Sequence, residues 1–350
     1  AGRPPRHGDG DDGRALVVAD PAADRWASLL ATGAALFGPL PWWPPTEPDP
    51  QSVLLAGLVG RRVPVAGRPA ARPDHLPRSG ITLLRTPAGT RPEIWCRCDG
   101  GPHGFLSIAA HAHADALSVE VRHDGVDVLA DPGTYCYHGE PGWRRYFRST
   151  LAHNTVELDG VDQSVPGGPF LWARQARTRL LDVATAGPGP RRWSAEHSGY
   201  GRLHPPARHR RTVSLDPGAG TLEILDEVEV EVGGGDGRAG AGDHGGDGHA
   251  LRLAFHLGPA VEAALTAPGA RLRWPARGGG GCHEAVLELP DGLAWEAHRG
   301  ETAPVLGWYS AGFGRREPSL TLVGSGRSDS ANSSGEAGSA GLRTVLRFSR

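Results

Sequence analysis

From about residue 79 to the C-terminus, apolar and polar side chains alternate in short runs: ITLLR at 81–85, EIWCRC at 93–98, ALSVEV at 116–121, TRLLDV at 178–183 and RTVSL at 211–215. The pattern continues through TLEILD at 221–226, LRLAFHL at 251–257, AVLEL at 285–289, LTLV at 320–323 and TVLRF at 344–348. Successive residues of an extended chain face opposite sides, so each run predicts a strand with one apolar face. Glycine and proline break the runs throughout. Many short strands punctuated in this way predict a mainly β chain, a large antiparallel β-sandwich. Ahead of them the period changes: DPAADRWASLLATGAALF at 20–37 carries apolar residues at helical spacing, and SVLLAGLV at 52–59 predicts one more helix. Residues 1–78 are therefore expected to be helical material and linker, and residues 79–350 the sandwich. Two tracts rich in small residues, 233–248 and 324–341, are expected to be loop insertions, with His244 and His249 as part of a soluble filler because no regular repeat is present.

Composition narrows the classes. A chain of 350 residues can bury a large core. Its formal net charge of −2 argues against a general nucleic-acid binder, which shows a clearly basic domain. Lysine and methionine do not occur, which a GC-rich coding bias explains without any function. No apolar stretch is long enough to span a membrane, and the first residues show no signal-peptide core. Of the four cysteines, Cys96 and Cys98 face the same way on one predicted strand, which is awkward for a mutual bridge, while Cys136 and Cys282 stand alone.

Candidate chemistry concentrates between His111 and Asn154. Read as a strand, His111-Ala-His113-Ala-Asp115 projects both imidazoles and the carboxylate from one face, and its small alanines give it little apolar surface to bury. Asp131 follows an apolar run and precedes Pro-Gly-Thr, a strand end entering a turn, and His153 precedes another short strand. His, Asp and His at such positions suit zinc and also non-haem iron. Among the 16 histidines, His103, His123, His138, His204, His209, His249, His283 and His298 lie mostly in polar or glycine-rich contexts and are read as solvated. Arg144, Arg145 and Arg148 surround Tyr146, and guanidinium groups suit carboxylate or sulfate through paired hydrogen bonds. A second cluster, ArgHisArgArg at 208–211, is read as a solvated strand face. Trp143, Phe170 and Trp172 serve equally as sugar-stacking surfaces or as core.

The joint pattern HAHADALSVEVRHDGVDVLADPGTYCYHG, followed by WRRYFRSTLAHNTVELDGVDQS, resembles the heparinase II/III-like family of polysaccharide lyases, in the β-sheet domain that follows their helical toroid. The resemblance covers residues 104–172, and beyond them it is one of architecture. It implies a sandwich preceded by a short remnant of an α/α toroid. It also implies that His113, Asp131 and His153 form a zinc triad, that His111 is the catalytic-site histidine facing substrate, and that Tyr146 falls near a cleft-lining tyrosine. Asp115 would then be an outer partner orienting an imidazole.

The implied reaction is β-elimination on a uronic-acid polysaccharide. The C5 proton is only weakly acidic, so the carboxylate must be neutralised, the proton taken and the departing O4 protonated. His111 could serve in the first or second task. In the family a tyrosine on the helical domain is the usual base or acid, which places it upstream of this sequence and makes the chain an expected part of a longer protein. Family members mostly work outside the cytoplasm, which implies a periplasmic or secreted location. The expected partner is an acidic polysaccharide, heparan-type, alginate or exopolysaccharide. Two other readings remain: a non-catalytic carbohydrate-binding sandwich with a structural metal, and an iron oxygenase using His113, Asp115 and His153. A cupin would need a glutamate soon after the His-x-His pair, and Glu120 is too distant.

Overall fold

The computed structural model describes residues 4–10, 13, 18, 25–38, 47–64, 73–87, 89–90, 92–231, 248–328 and 341–349. The chain divides into two compact units, Ala1–Pro5 with Asp11–Asp74, and Arg6–Gly10 with His75–Arg350. In the first unit both expected helices form, over Arg25–Phe37 and Pro50–Leu58. The second starts where its sequence says it should: Pro50 holds the first position, the Asp49 carboxylate accepts the Ser52 N–H (2.9 Å), and the Ser52 hydroxyl accepts the Asp49 N–H (3.0 Å). Ala31, Ala34, Ala35 and Ala56 are buried, whereas Leu29, Phe37, Val53 and Leu58 are exposed.

The second unit is mainly β, and its strands are antiparallel. Five strands run in the order His75–Leu76, Ile81–Arg85, Ile94–Asp99, Val119–His123, Val126–Leu129. Eight more form the largest sheet: Glu262–Thr266, Gly269–Pro275, Cys282–Glu288, Leu342–Phe348, Thr221–Val230, Ala207–Asp216, Arg191–His197, Thr178–Ala184. A four-stranded sheet orders Ala294–Arg299, Leu320–Arg327, Ala250–His256, Val156–Leu158. One continuous core joins them, taking Leu84, Cys96 and Val121 from the first sheet, Trp193, Val213, Ile224 and Leu346 from the second, and Leu253, Phe255 and Leu322 from the third. Strand alternation predicted this core: on Ala207–Asp216, every second residue from Ala207 to Leu215 is buried.

Alternation also corrects the reading of the polar residues. His209 and Arg211 occupy inward positions of that strand and are fully buried, leaving Arg208 to face solvent, so ArgHisArgArg is only half a solvated face. His123 and His249 are buried as well, while His138 and His204 are exposed and His244 lies outside the described residues. Gly324–Arg327, assigned to a loop from their composition, complete the strand Leu320–Arg327 opposite Ala250–Leu253. The rest of that tract, 329–340, lies outside the described residues. Cys96 and Cys98 are buried and unbridged, with their sulfurs 3.9 Å apart.

The site-bearing segments depart most from expectation. His111 to Asp115 is a turn-rich loop, not a strand. Ala109 (φ 48°) and Leu117 (φ 61°) bend the chain at either end, and short-range bonds, Ala112 N–H to Ala109 and Ser118 N–H to Asp115, replace ladder pairing. GluProGlyTrpArgArgTyrPheArg opens a helix, Pro141–Arg148, whose proline takes the first turn.

Candidate metal centre and adjoining cleft

Three segments deliver the central group: the 109–118 loop carries His113, the end of the strand Val126–Leu129 leads to Asp131, and a 3-10 turn, Thr150–Ala152, ends at His153. All three side chains are buried. His113 Nδ1 lies 3.2 Å from His153 Nε2, and His153 Nε2 lies 3.7 Å from Asp131 Oδ2. The outer nitrogen of each ring has an acceptor. His153 donates from Nδ1 to the Ser149 carbonyl (2.7 Å), and His113 donates from Nε2 to Asp9 Oδ1 (3.0 Å). With those protons assigned, two imidazole lone pairs face each other across 3.2 Å, a repulsive arrangement that a cation between them resolves. Zinc–nitrogen bonds near 2.0–2.1 Å give a tetrahedral edge of roughly 3.3 Å, so the spacing fits.

The carboxylates support the same fit. Asp131 Oδ2 and Asp115 Oδ2 are buried without a hydrogen-bond partner among the described residues, and Asp115, Asp131 and His153 offer ligand atoms within 4.8 Å of one another. Asp115, expected to orient an imidazole from outside, brings a buried oxygen up to this group. Burial and then the charge of Asp99 raise its pKa to about 6. Burial lowers both His113 and His153, keeping the rings neutral, as ligands must be. Burial works against ionisation of Asp131, but His153, His113 and Arg97 together bring it below its ordinary value. A second group, His7, Asp99 and Asp115, also lies within 4.8 Å. There the Arg97 guanidinium stands 3.2 Å from His7 and 3.5 Å from Asp99, so that cluster already holds a cation.

His111 stands apart from this buried set, its side chain 74 % exposed and its Nδ1 3.2 Å from Asp9 Oδ2. It lines a cavity of about 430 Å³ with His103, His113 and Asp115. The helix Pro141–Arg148 lines a second cavity of about 430 Å³ with Arg144, Arg145 and Arg148, closed on other sides by Tyr137, Asp162, Pro169 and Trp172. The three arginines differ. Arg144 is buried and grips the Asp9 carboxylate with both terminal nitrogens. Arg148 lies over Trp172 (4.3 Å) and donates to the carbonyls of Gly168 and Pro169 at 2.9 Å each. Burial and then Arg144 lower its pKa to about 10. Arg145 is exposed.

Tyr146 is not in this cleft. Its position on the helix turns the ring into a second core cluster with Phe147, Ala152 and Leu306, and its hydroxyl accepts the Trp308 N–H at 3.4 Å. Burial drives its pKa above the ordinary tyrosine value. The cleft tyrosine is Tyr137, packed against Phe170 and Phe313. Trp172 is buried, its indole N–H donating to the Ala112 carbonyl (3.1 Å), while Trp143 and Phe170 are half-buried. Asp9 escapes sequence reasoning: it lies over 100 positions before its partners, without local patterning to mark it.

A sandwich with a His–Asp–His centre beside an arginine-lined cleft defines a class. The family model for the heparinase II/III-like C-terminal domain matches residues 68–338, and the chain belongs to that family. Solved structures agree on the fold. Heparan sulfate lyase HepC from Pedobacter heparinus is 14 % identical, with a TM-score of 0.63 over 98 % of this chain and 43 % of its own. Heparinase III, the BT4657 gene product with methylated lysines, is 20 % identical, with a TM-score of 0.57 over 81 % of this chain and 37 % of its own. Another heparinase III is 14 % identical, with a TM-score of 0.54 over 81 % and 38 %. The chain thus spans about two fifths of the length of these solved structures. Among curated proteins no sequence matches it. Within the described residues, no helix is long and apolar enough to cross a membrane.

Proposed function

We propose that this chain forms the β-sandwich side of a lyase cleft that cleaves uronic-acid-containing polysaccharide by β-elimination outside the cytoplasm. The observation carrying the reading is that one exposed imidazole, His111, shares a cavity with His113 of the buried His113–Asp131–His153 centre and meets, through Asp9, Arg144 of an arginine-lined cavity. His113, Asp131 and His153, with Asp115 beside them, would hold zinc, whose charge when bound compensates the buried carboxylates and keeps the 109–118 loop in place. His111 meets the sugar carboxylate or the C5 proton, and Arg145 attracts the polymer. The base that completes elimination is carried, in the resemblance, by the helical domain of the family.

The oxygenase reading is weaker, because its ligand set leaves Asp131 without a role although its Oδ2 lies 3.7 Å from His153. The test sets the chain, alone and joined to a helical domain of the family, against heparan sulfate, alginate and a neutral glucan, reading gel retardation and, for the joined protein, the ultraviolet absorbance of unsaturated uronate. Retention by the uronate polymers alone is expected, weakened by Arg145→Ala. Product that disappears in His111→Ala, with zinc still bound, establishes the lyase. Retention without product in the joined protein makes the chain a carbohydrate-binding sandwich. Equal migration with every polymer overturns both.

A further inference from the structure

Resting on the metal centre proposed above, we propose that Asp9 is a positioning residue that locks the centre to the cleft. Its carboxylate is almost wholly buried, 1 % exposed, and every oxygen is used. Oδ1 accepts from His113 Nε2 (3.0 Å) and from Arg144, while Oδ2 meets His111 Nδ1 (3.2 Å) and accepts from Arg144 Nη2 (2.8 Å). One carboxylate thereby touches a buried ring of the centre, the exposed imidazole and a cleft cation, groups delivered by the 109–118 loop and the helix Pro141–Arg148.

The backbone shows that Asp9 is seated and not merely resting there. Asp9 N–H donates to the His111 carbonyl (2.8 Å), Gly10 N–H donates to the Thr134 hydroxyl (2.9 Å), and Arg6 N–H donates to Glu120 (3.0 Å). Gly8 adopts φ +62° where a β-carbon would stand 2.3 Å from the His111 carbonyl, so the segment presses directly on the loop. The chemical consequence is a fixed tautomer. With its Nε2 proton bound to Asp9, His113 presents the Nδ1 lone pair toward His153. A carboxylate behind a ligating imidazole raises its basicity and fixes its plane, and loss of such a partner weakens metal binding about 10–100-fold.

Cobalt(II) titration of the full chain, read by its visible absorption, tests this. Asp9→Asn should bind cobalt about 10–100-fold more weakly than wild type and shift the visible bands, a change that a purely structural role would not produce. Histidine-selective nitrogen-15 spectra of the wild type should show His113 protonated at Nε2, a readout that stands even if Asp9→Asn fails to fold. Protonation at Nδ1, or unchanged cobalt affinity and bands in Asp9→Asn while His113→Ala loses the ion, overturns the assignment of Asp9 and leaves the centre intact. Equal uptake by wild type and His113→Ala overturns the centre itself, and the role of Asp9 with it.

Discussion

Arg211 donates from Nη1 to the backbone carbonyl of Leu117 at 2.8 Å, so a fully buried guanidinium of the eight-stranded sheet holds the end of the loop that carries His111 and His113. The same nitrogen reaches the Asn154 carbonyl, next to His153. Strand register sets Asp226 directly opposite, where its oxygens accept from Arg211 Nε (2.7 Å) and Nη2 (2.9 Å).

Breaking this pair from one side strands a buried charge. Arg211→Leu should lower unfolding free energy by about 3–5 kcal/mol, measured in urea, because Asp226 keeps its carboxylate with only His209 for company. Arg211→Leu combined with Asp226→Leu should recover part of that loss, since two apolar side chains need no partner. Cobalt affinity should not recover in the double variant, because the Leu117 and Asn154 carbonyls still lack their donor.

Tyr146 gives the opposite prediction to the one its motif suggests. The hydroxyl accepts a long bond from the Trp308 N–H (3.4 Å). Tyr146→Phe should therefore cost at most about 1 kcal/mol and leave polymer retention unchanged. Tyr146→Ala should cost about 3–5 kcal/mol in thermal or urea unfolding, as a cavity opens among Phe147, Ala152 and Leu306.

The contrast between these residues shows what the sequence made legible. Period-two runs such as TLEILD announced their strands and buried faces, because alternation is a local property that burial simply amplifies. The His113, Asp131 and His153 positions were legible through a resemblance of long, ordered motifs. Side-chain direction was not. His111 and His113 share a spacing but not a face, because the backbone between Ala109 and Leu117 leaves the extended region. Tyr146 sits one position from Arg145 on a helix, so one faces solvent while the other faces core. Asp9 and Arg211 act at long range, across more than 90 positions, where no periodicity reaches.

His123 makes acid sensitivity testable away from the metal centre. Its ring stacks on Phe348 (4.8 Å, 5°), and neither ring nitrogen has a hydrogen-bond partner among the described residues. Burial and then His283 lower its pKa from 6.5 to about 4. Above pH 6.5 the ring is neutral both folded and unfolded, so nothing is lost. Below it only the unfolded chain takes the proton, and stability falls until the pH reaches about 4, by on the order of 3 kcal/mol for this group. Urea midpoints measured across that window should fall less steeply in His123→Phe, and an unchanged slope would remove His123 from the account.

Metal removal separates the buried centre from the exposed imidazole. A cation bound only by the folded chain stabilises it by roughly 4 kcal/mol when free metal is a thousand times the dissociation constant. Chelator should therefore lower the melting temperature of wild type and of His111→Ala alike, because His111 keeps its side chain in solvent. His153→Ala and Asp131→Asn should melt lower from the outset and respond little to chelator, each having lost an atom that converges on the ion. A wild-type melting curve indifferent to chelator, at zinc levels shown to load the chain, would mean that the facing lone pairs of His113 and His153 are relieved by a proton and not by a metal.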